Sequence, residues 1–398
     1  MIIETEHLII RDFQKKDAAG LLEYLSHPRV NCFVGDRLCS VESALAYISN
    51  SPKDMLRYAV CLKEDDFIIG DVFALREYTD TFSVGCMGKR RARLTKGIDS
   101  SIRIAGVDTA ESRRAEATDL GLIDAAYPSI AEAVAAEAPD AALVCTAPLT
   151  HAAIISELLD NSLPVFTELN LVADGYEENM AKAKEKGVLL FLSSTMLYRR
   201  ETQYIKQQVA AFGKPVHYIY HIGQYLPDWH PWENYKNFFV GNARTGGVRE
   251  IFGIDLPWLL DAFGDVTHVT VQEDSISDLG LPYPDCVTLL LRHASGAQGV
   301  LAADVVSPKA VRNFECFGDG LHLFWEGNPK ALYEFKNGDK QFVDTYTSFE
   351  HDNRYSDNIV ENAYVDELTN FFACLRGEET SRWSFEQDLA AIRIMDKT

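Results

Sequence analysis

Ser83-Val84-Gly85-Cys86-Met87-Gly88, followed by Lys89-Arg90-Arg91, have the residue types and spacing to hold two linked phosphates. The run reads as G-x-G-x-x-G with Ser83 in the place of the first glycine, where an apolar strand-like stretch gives way to a helical one. In such a turn one glycine lets the backbone approach a pyrophosphate and another lets helix and strand pack closely. The unpaired N–H groups at the helix N-terminus then face the anion. Gly85, Cys86, Met87 and Gly88 are therefore the expected phosphate contacts. Alone the motif is weak, because a glycine pattern with one member missing is as readily an ordinary turn.

Context strengthens it. Asp108 ends the next apolar run, Ile104-Ala105-Gly106-Val107-Asp108, about 20 residues beyond Gly88, where a carboxylate would take the ribose hydroxyls of a dinucleotide. Its plainer role is to cap the helix that starts near Ala110, and the two roles can coexist. A carboxylate there repels a 2′-phosphate, which favours NAD over NADP, although Arg113 and Arg114 nearby leave NADP open. Further along, Val144-Cys145-Thr146-Ala147-Pro148-Leu149-Thr150-His151 and Pro164-Val165-Phe166-Thr167-Glu168 each end an apolar run. Ligands of open parallel sheets collect at those carboxyl ends. Thr146, Pro148, His151 and Glu168 join the expected cofactor contacts.

The elements that must position these residues follow from the hydrophobic pattern. From Phe82 to about Leu197 short β-branched runs (82–84, 103–108, 142–146, 164–168 and 188–192) alternate with Ala-rich, charged helical stretches (110–119, 129–136 and 177–186). Strand–helix alternation of this kind predicts a parallel sheet covered on both faces. Beyond about Ile205 the runs 216–223, 266–273, 286–293, 299–306, 312–318 and 321–325 alternate as strands with Gly- and Asp-containing turns, predicting a mainly antiparallel sheet. Helices are expected over 362–375 and 385–395. The first 80 residues read strand (8–11), helix (16–25), helix (41–49), strand (58–62), a turn at Lys63–Asp66 and strand (67–75). The expected domains are thus 1–80, a dinucleotide-binding domain over 81–200, and a substrate-binding or oligomerisation domain over 201–398 whose last helix packs back on the second.

Composition narrows the partners. With 38 Lys and Arg against 59 Asp and Glu, the net charge of −21 disfavours nucleic acid and anionic membrane. The eight cysteines are scattered with no C-x-x-C pair, which points to neither a zinc site nor a disulfide framework. The start, MIIETEHLIIRDF, has no signal-peptide layout, and no apolar run approaches the roughly 20 residues of a spanning helix. A cytoplasmic location is expected.

On those motifs, together with Ser384-Phe385-Glu386-Gln387-Asp388, the chain from about Gly85 to Thr398 resembles the glucose–fructose oxidoreductase, inositol dehydrogenase and MocA family (Gfo/Idh/MocA). The resemblance implies a Rossmann domain followed by an open, mostly antiparallel sheet. It implies hydride transfer between NAD(P) and a sugar, sugar nucleotide or cyclitol. It also exposes a departure. Family members read Glu-Lys-Pro after the fourth core strand, with the lysine assisting proton transfer, whereas this chain reads Glu168-Leu169-Asn170. The family's helical aspartate and histidine align with Ile254 and Pro257. The usual acid/base set is absent.

Removing a carbinol proton as hydride leaves requires a base beside the hydroxyl with a pKa close to the working pH. His221, Tyr198 and Glu250 are the candidates, with His230 and Asp255 beside them. His217 and His221 share one strand face by the two-residue period, and a lone histidine there is more often a satisfied core residue. The segment Tyr225-Leu226-Pro227-Asp228-Trp229-His230-Pro231-Trp232-Glu233 joins aromatic faces to carboxylates in a proline-stiffened loop. That suits stacking on a sugar ring, or equally a loop pinned by buried tryptophans. Trp229, His230, Trp232 and Asp255 are the expected substrate contacts. A dinucleotide-binding protein that keeps the fold without the chemistry is the competing reading. An open sheet face in the second half allows a homo-oligomer.

Residues 1 to about 85 resemble the first half of a GNAT acetyltransferase of the ribosomal-protein-acetylating type, through Ile3–Phe13 and Asp66-Phe67-Ile68-Ile69-Gly70-Asp71-Val72. That family grips the acetyl-CoA pyrophosphate with a glycine-rich turn after its fourth strand. Here the resemblance stops at Phe82-Ser83-Val84-Gly85, just before that turn, and acetyl transfer is not expected.

Overall fold

The computed structural model describes residues 3–5, 7–25, 40–49, 55–75, 86–229, 234–349 and 359–398. The described residues up to Leu75 form one compact unit and those from Cys86 onward another.

The first unit is a four-stranded antiparallel sheet in the order β1 (Ile3–Glu4), β2 (Leu8–Arg11), β3 (Met55–Leu62), β4 (Ile68–Leu75), with α1 (Ala18–Leu25) and α2 (Val41–Ser49). The expected turn between β3 and β4 is present, with Asp66 at φ 55. Its carboxylate, like that of buried Asp17, binds Arg11. A small core of Ala18, Leu21, Leu25, Ala44, Ala59, Cys61 and Ile68 sits between sheet and helices.

The second unit opens with α3 (Cys86–Ile98), then β5 (Ala105–Val107), α4 (Glu111–Asp119), β6 (Ala125–Tyr127), α5 (Ile130–Glu137), β7 (Ala142–Val144), α6 (His151–Asp160), β8 (Val165–Thr167), α7 (Tyr176–Lys186) and β9 (Leu190–Leu192). Strands β5–β6 and β7–β8–β9 pair in parallel, as strand–helix alternation requires. The strand expected at 82–84 lies outside the described residues. Each described strand is shorter than its apolar run: β7 at its carboxyl end, β9 at its amino end, and β5 and β8 at both. β6 was not among the expected strands.

Helix α8 (Arg200–Phe212) leads to an eight-stranded sheet. Its strands are β10 (His217–Gly223), β11 (Val266–Asp274), β12 (Cys286–His293), β13 (Gln298–Asp304), β14 (Val311–Gly318), β15 (Leu321–Trp325), β16 (Leu332–Lys336) and β17 (Asp339–Phe342). The spatial order is β11-β12-β13-β10-β14-β15-β16-β17, antiparallel except where β10 lies parallel to β13. Helix α9 (Gly247–Phe263) interrupts the strands, and α10 (Glu361–Leu375) and α11 (Phe385–Met395) end the chain.

One face of the large sheet is packed and one is open. Tyr218, Tyr220 and Ile222 are buried on the α9 side, where Tyr220 donates to Asp255 at 2.7 Å. Gly299 on β13 leaves room for the Tyr218 ring, since a Cβ there would lie 1.9 Å from it. On the open face a cross-strand row runs Thr270, Leu290, Val300, Ile219, Glu315, Phe324, Tyr333, Phe342. Leu290, Ile219 and Phe342 in that row are exposed. A single hydrophobic core joins the parallel strands to the packed face of the large sheet. The terminal helix is tied back to the parallel-strand half, with Tyr176 donating to buried Asp388 at 2.6 Å.

Candidate functional site

The expected site residues lie at the start of α3, at the carboxyl ends of β5, β7 and β8, and in α9, which packs on the loop after β8. Helix α3 starts at Cys86, so the backbone N–H groups of Cys86, Met87 and Gly88 stand in its first turn, where an α-helix leaves donors unpaired. Gly85 and the side chain of Cys86 are outside the described residues. The basic residues that follow are engaged by carboxylates. Lys89 pairs with Glu116, and Arg90 and Arg93 both reach Glu361. Arg91 is buried between Glu168 and Glu367 at 2.6 Å each.

Asp108 lies just past β5 and is buried. One carboxylate oxygen accepts the N–H of Ala110 at 2.8 Å and lies 3.7 Å from Arg113. Arg114 donates to the Asp108 carbonyl. The expected capping role is not realised, because Ala110 is the N-cap residue of α4 and no side chain caps that helix; the carboxylate instead closes the turn that leads into it. It is thereby fixed at the end of β5, where a ribose would lie. An unpaired helix start with a positioned carboxylate beyond the next strand fits a dinucleotide. Arg113 offsets part of the negative charge there.

At the end of β7, Thr146 and Thr150 share a hydroxyl–hydroxyl contact of 2.8 Å, and Pro148 is buried at the head of a one-turn helix. His151 is buried, with both ring nitrogens engaged, at 2.7 Å to Asn170 Oδ1 and 2.9 Å to the Thr146 carbonyl. Burial holds its pKa below the ordinary histidine value. It therefore ties the loops after β7 and β8 together as a neutral ring. Glu168 follows β8, and Leu169 packs towards Gly253 of α9, where a Cβ would lie 3.4 Å from it. Arg249 in the first turns of α9 donates to the Leu171 carbonyl at 2.6 Å. Helix α9 is thereby docked on the loop in which the family lysine would stand.

The Gly246-Gly247 pair fits aromatic neighbours by lacking side chains. A Cβ on Gly246 would lie 2.7 Å from the Tyr283 ring, and one on Gly247 would lie 2.9 Å from Val305 and 3.4 Å from Trp229. Glu250, one turn on, carries a sealed Oε2 without a hydrogen-bond partner, and so does Trp229 Nε1. Burial pushes the Glu250 carboxyl up to about 8.

The other expected residues fall elsewhere. Asp255 is buried and accepts from Tyr220, Trp258 and Arg312. Tyr198 is buried; its hydroxyl donates to Asn370 at 2.8 Å, and desolvation raises its pKa far above the ordinary phenol value. His221 stands on the open face of the sheet, 2.7 Å from Asp304, so the structure does not bring it to the α9 face with Glu250. His230 and Trp232 lie outside the described residues. Tyr283 and Asn170 were not anticipated. Asn170 stands in the Glu168-Leu169-Asn170 segment, but its bond to His151, like the approach of Tyr283 to Gly246, follows only from tertiary contact.

Residues 83–194 match the family model described as "Oxidoreductase family, NAD-binding Rossmann fold" (GFO_IDH_MocA). Among solved structures, a probable dehydrogenase from Thermotoga maritima shares 20% identity at a TM-score of 0.62, covering 77% of this chain and 91% of that one. UDP-N-acetylglucosamine 3-dehydrogenase GnnA from Acidithiobacillus ferrooxidans shares 18% at 0.62, covering 79% and 93%. A levoglucosan dehydrogenase in complex with NADH and levoglucosan shares 15% at 0.63, covering 79% and 96%. A curated relative, the uncharacterized N-acetyltransferase YnaD of Bacillus subtilis, is 28% identical over 87 residues, 21% of this chain. The chain spans about half of that relative's length, 51%. Residues 83–194 are thus similar to the NAD-binding Rossmann domain of Gfo/Idh/MocA oxidoreductases, and the second unit has the fold of solved dehydrogenases.

Proposed function

We propose that the second unit transfers a hydride between NAD(H) and a hydroxyl or carbonyl of a small carbohydrate, with Glu250 carrying the proton that the family lysine usually handles. The observation that carries this reading is the state of Glu250: a carboxyl beside the Gly246-Gly247 pair, with a sealed and unpartnered oxygen and a pKa near 8. A proton carrier works best when its pKa lies close to the operating pH. The bound dinucleotide supplies the hydride acceptor or donor; Asp108 would hold its ribose and the first turn of α3 its phosphates. Trp229 and Tyr283 offer ring faces and an indole N–H to a sugar. The dehydrogenases of similar fold that act on sugars support the substrate class.

Leu169 favours a second reading, a dinucleotide-binding protein without turnover, because its side chain has no proton to give. Titrating NADH by fluorescence and then screening sugars and nucleotide sugars for coenzyme reduction separates the two. Binding with turnover supports the first, binding without turnover the second, and the absence of binding defeats both.

A further inference from the structure

We infer that a cavity between α8 and α10 is a second ligand site, for a small polyhydroxylated monocarboxylate of the uronic acid class. The cavity measures about 540 Å³ and is walled by α8, the chain that follows β17, α10 and the loop between α10 and α11. No loop at the carboxyl end of β7, β8 or β9 contributes to it, which separates it from the dinucleotide site.

Its distinguishing feature is a pair of arginines held open. The Arg200 guanidinium lies over the Tyr346 ring at 5.4 Å and that of Arg382 over the Tyr198 ring at 4.4 Å. Among the described residues Arg91, Arg93, Arg199 and Arg312 each pair with a carboxylate. Among the described residues Arg200 and Arg382 pair with no carboxylate, in a chain of net charge −21; Arg382 Nη1 makes one long bond, 3.4 Å, to the Leu197 carbonyl and keeps its other N–H groups for a ligand. Asp366 lies within electrostatic reach of both without forming an ion pair with either, and burial raises its pKa. Stacking on a ring fixes the plane of a guanidinium while leaving its N–H fork free for a planar carboxylate.

The remaining wall selects the rest of the ligand. Asp344, Asp366 and Glu379 are hydroxyl acceptors, and their charge opposes a dianion such as a phosphate ester more strongly than a monoanion. Thr345 Oγ1 is buried with no hydrogen-bond partner, and Gln203 adds an amide. Two guanidinium groups lining one cavity, with acceptors and a hydroxyl beside them, suit an acidic sugar. The assignment also accounts for Tyr198, whose ring and hydroxyl support this wall through Arg382 and Asn370.

The test is calorimetric titration of the full chain with glucuronate, glucose, glucose 6-phosphate and inorganic phosphate. Saturable glucuronate binding is expected, with glucose and both phosphates weaker by about tenfold or more. Arg200→Gln and Arg382→Gln should each weaken glucuronate by about tenfold with an unchanged circular dichroism spectrum, whereas Glu250→Gln should leave it unchanged. If Arg382→Gln fails to fold because Tyr198 loses its cover, Arg200→Gln carries the test alone. The proposal is overturned if glucuronate does not saturate, or if glucose or a phosphate binds as tightly. Glucuronate binding that survives loss of the arginines, or that is lost with Glu250→Gln, overturns it equally.

Discussion

Arg91 and Glu367 are 276 residues apart in the chain, and their side chains meet at 2.6 Å in the interior. Arg91 also binds Glu168 and Ser193, and Glu367 accepts from Ser193, the Ser194 N–H and Thr195. One buried cation thus fastens the dinucleotide-binding helix to the loops after β8 and β9 and to α10. Breaking a buried pair from one side leaves the partner charge desolvated. Arg91→Met, which strands two carboxylates, should cost roughly 3–5 kcal/mol. Urea unfolding of the purified variant measures it; a loss within error of zero would show that the pair is dispensable.

The cofactor contact makes a second prediction. Asp108→Asn keeps an acceptor for the Ala110 N–H but removes the charge facing the ribose. NADH should bind about tenfold more weakly and NADPH more tightly than to the parent, with Arg113 freed to meet the 2′-phosphate. Fluorescence titration with each coenzyme reads both changes. An unchanged NADH-to-NADPH ratio would place the ribose elsewhere.

Much of this was legible in the sequence, and the gaps have physical causes. β12 and α11 have the bounds that their periodicity predicts, because a half-buried strand and an amphipathic helix each imprint a clean period. β6, β16 and β17 were missed: Ala125–Tyr127 is too short to show a period, and Asp339–Phe342 is exposed throughout. Strand parity placed His217 and His221 on one face correctly. It cannot say which face α9 covers, so the distance of His221 from Glu250 had to come from the fold. That Leu169 stands where the resemblance puts a lysine is a reading of the sequence alone. The Arg91 cluster could not be read there, since neither spacing nor composition links α3 to α10.

Glu250 predicts a pH signature with a definite sign. Its carboxylate must be free to take a proton when an alcohol is oxidised, so that rate should rise with pH and level off above about 8, while the reverse reduction falls over the same range. Glu250→Gln should remove this dependence and lower turnover by roughly a hundredfold or more. The folded carboxyl has its pKa raised from 4.5, so the native state holds a proton that the unfolded chain has lost. Stability should therefore fall as pH rises from 4.5 towards 8, and Glu250→Gln should abolish that component. Urea midpoints of parent and variant compared at pH 5 and pH 8 test this independently of any substrate.

The open face of the large sheet is proposed to be covered by a second copy of the chain. Its row crosses the strands through Leu290, Val300, Ile219, Phe324, Tyr333 and Phe342, interrupted by Glu315 beside Ile219, so a two-fold axis through the row sets each face on its equivalent. Ile219→Lys at the centre of the row should shift the protein towards monomer in light-scattering chromatography without altering its circular dichroism. A parent that is already monomeric at high concentration would contradict the arrangement.

The N-terminal unit is predicted not to bind acetyl-CoA. Four strands and two helices of an acetyltransferase-like half are present, with a small core of their own. The turn that would hold the coenzyme pyrophosphate in that family should follow the fourth strand. In this sequence the residues beyond β4 lead instead into Ser83-Val84-Gly85-Cys86-Met87-Gly88, which the oxidoreductase family match already includes. One glycine turn cannot serve two coenzymes seated on different sheets, and without it the acetyl-CoA phosphates lose their backbone donors. Calorimetric titration of acetyl-CoA into the full chain should give no saturable heat, while NADH under the same conditions should. Competition between the two would show a shared turn and defeat the assignment of that turn to the dinucleotide alone.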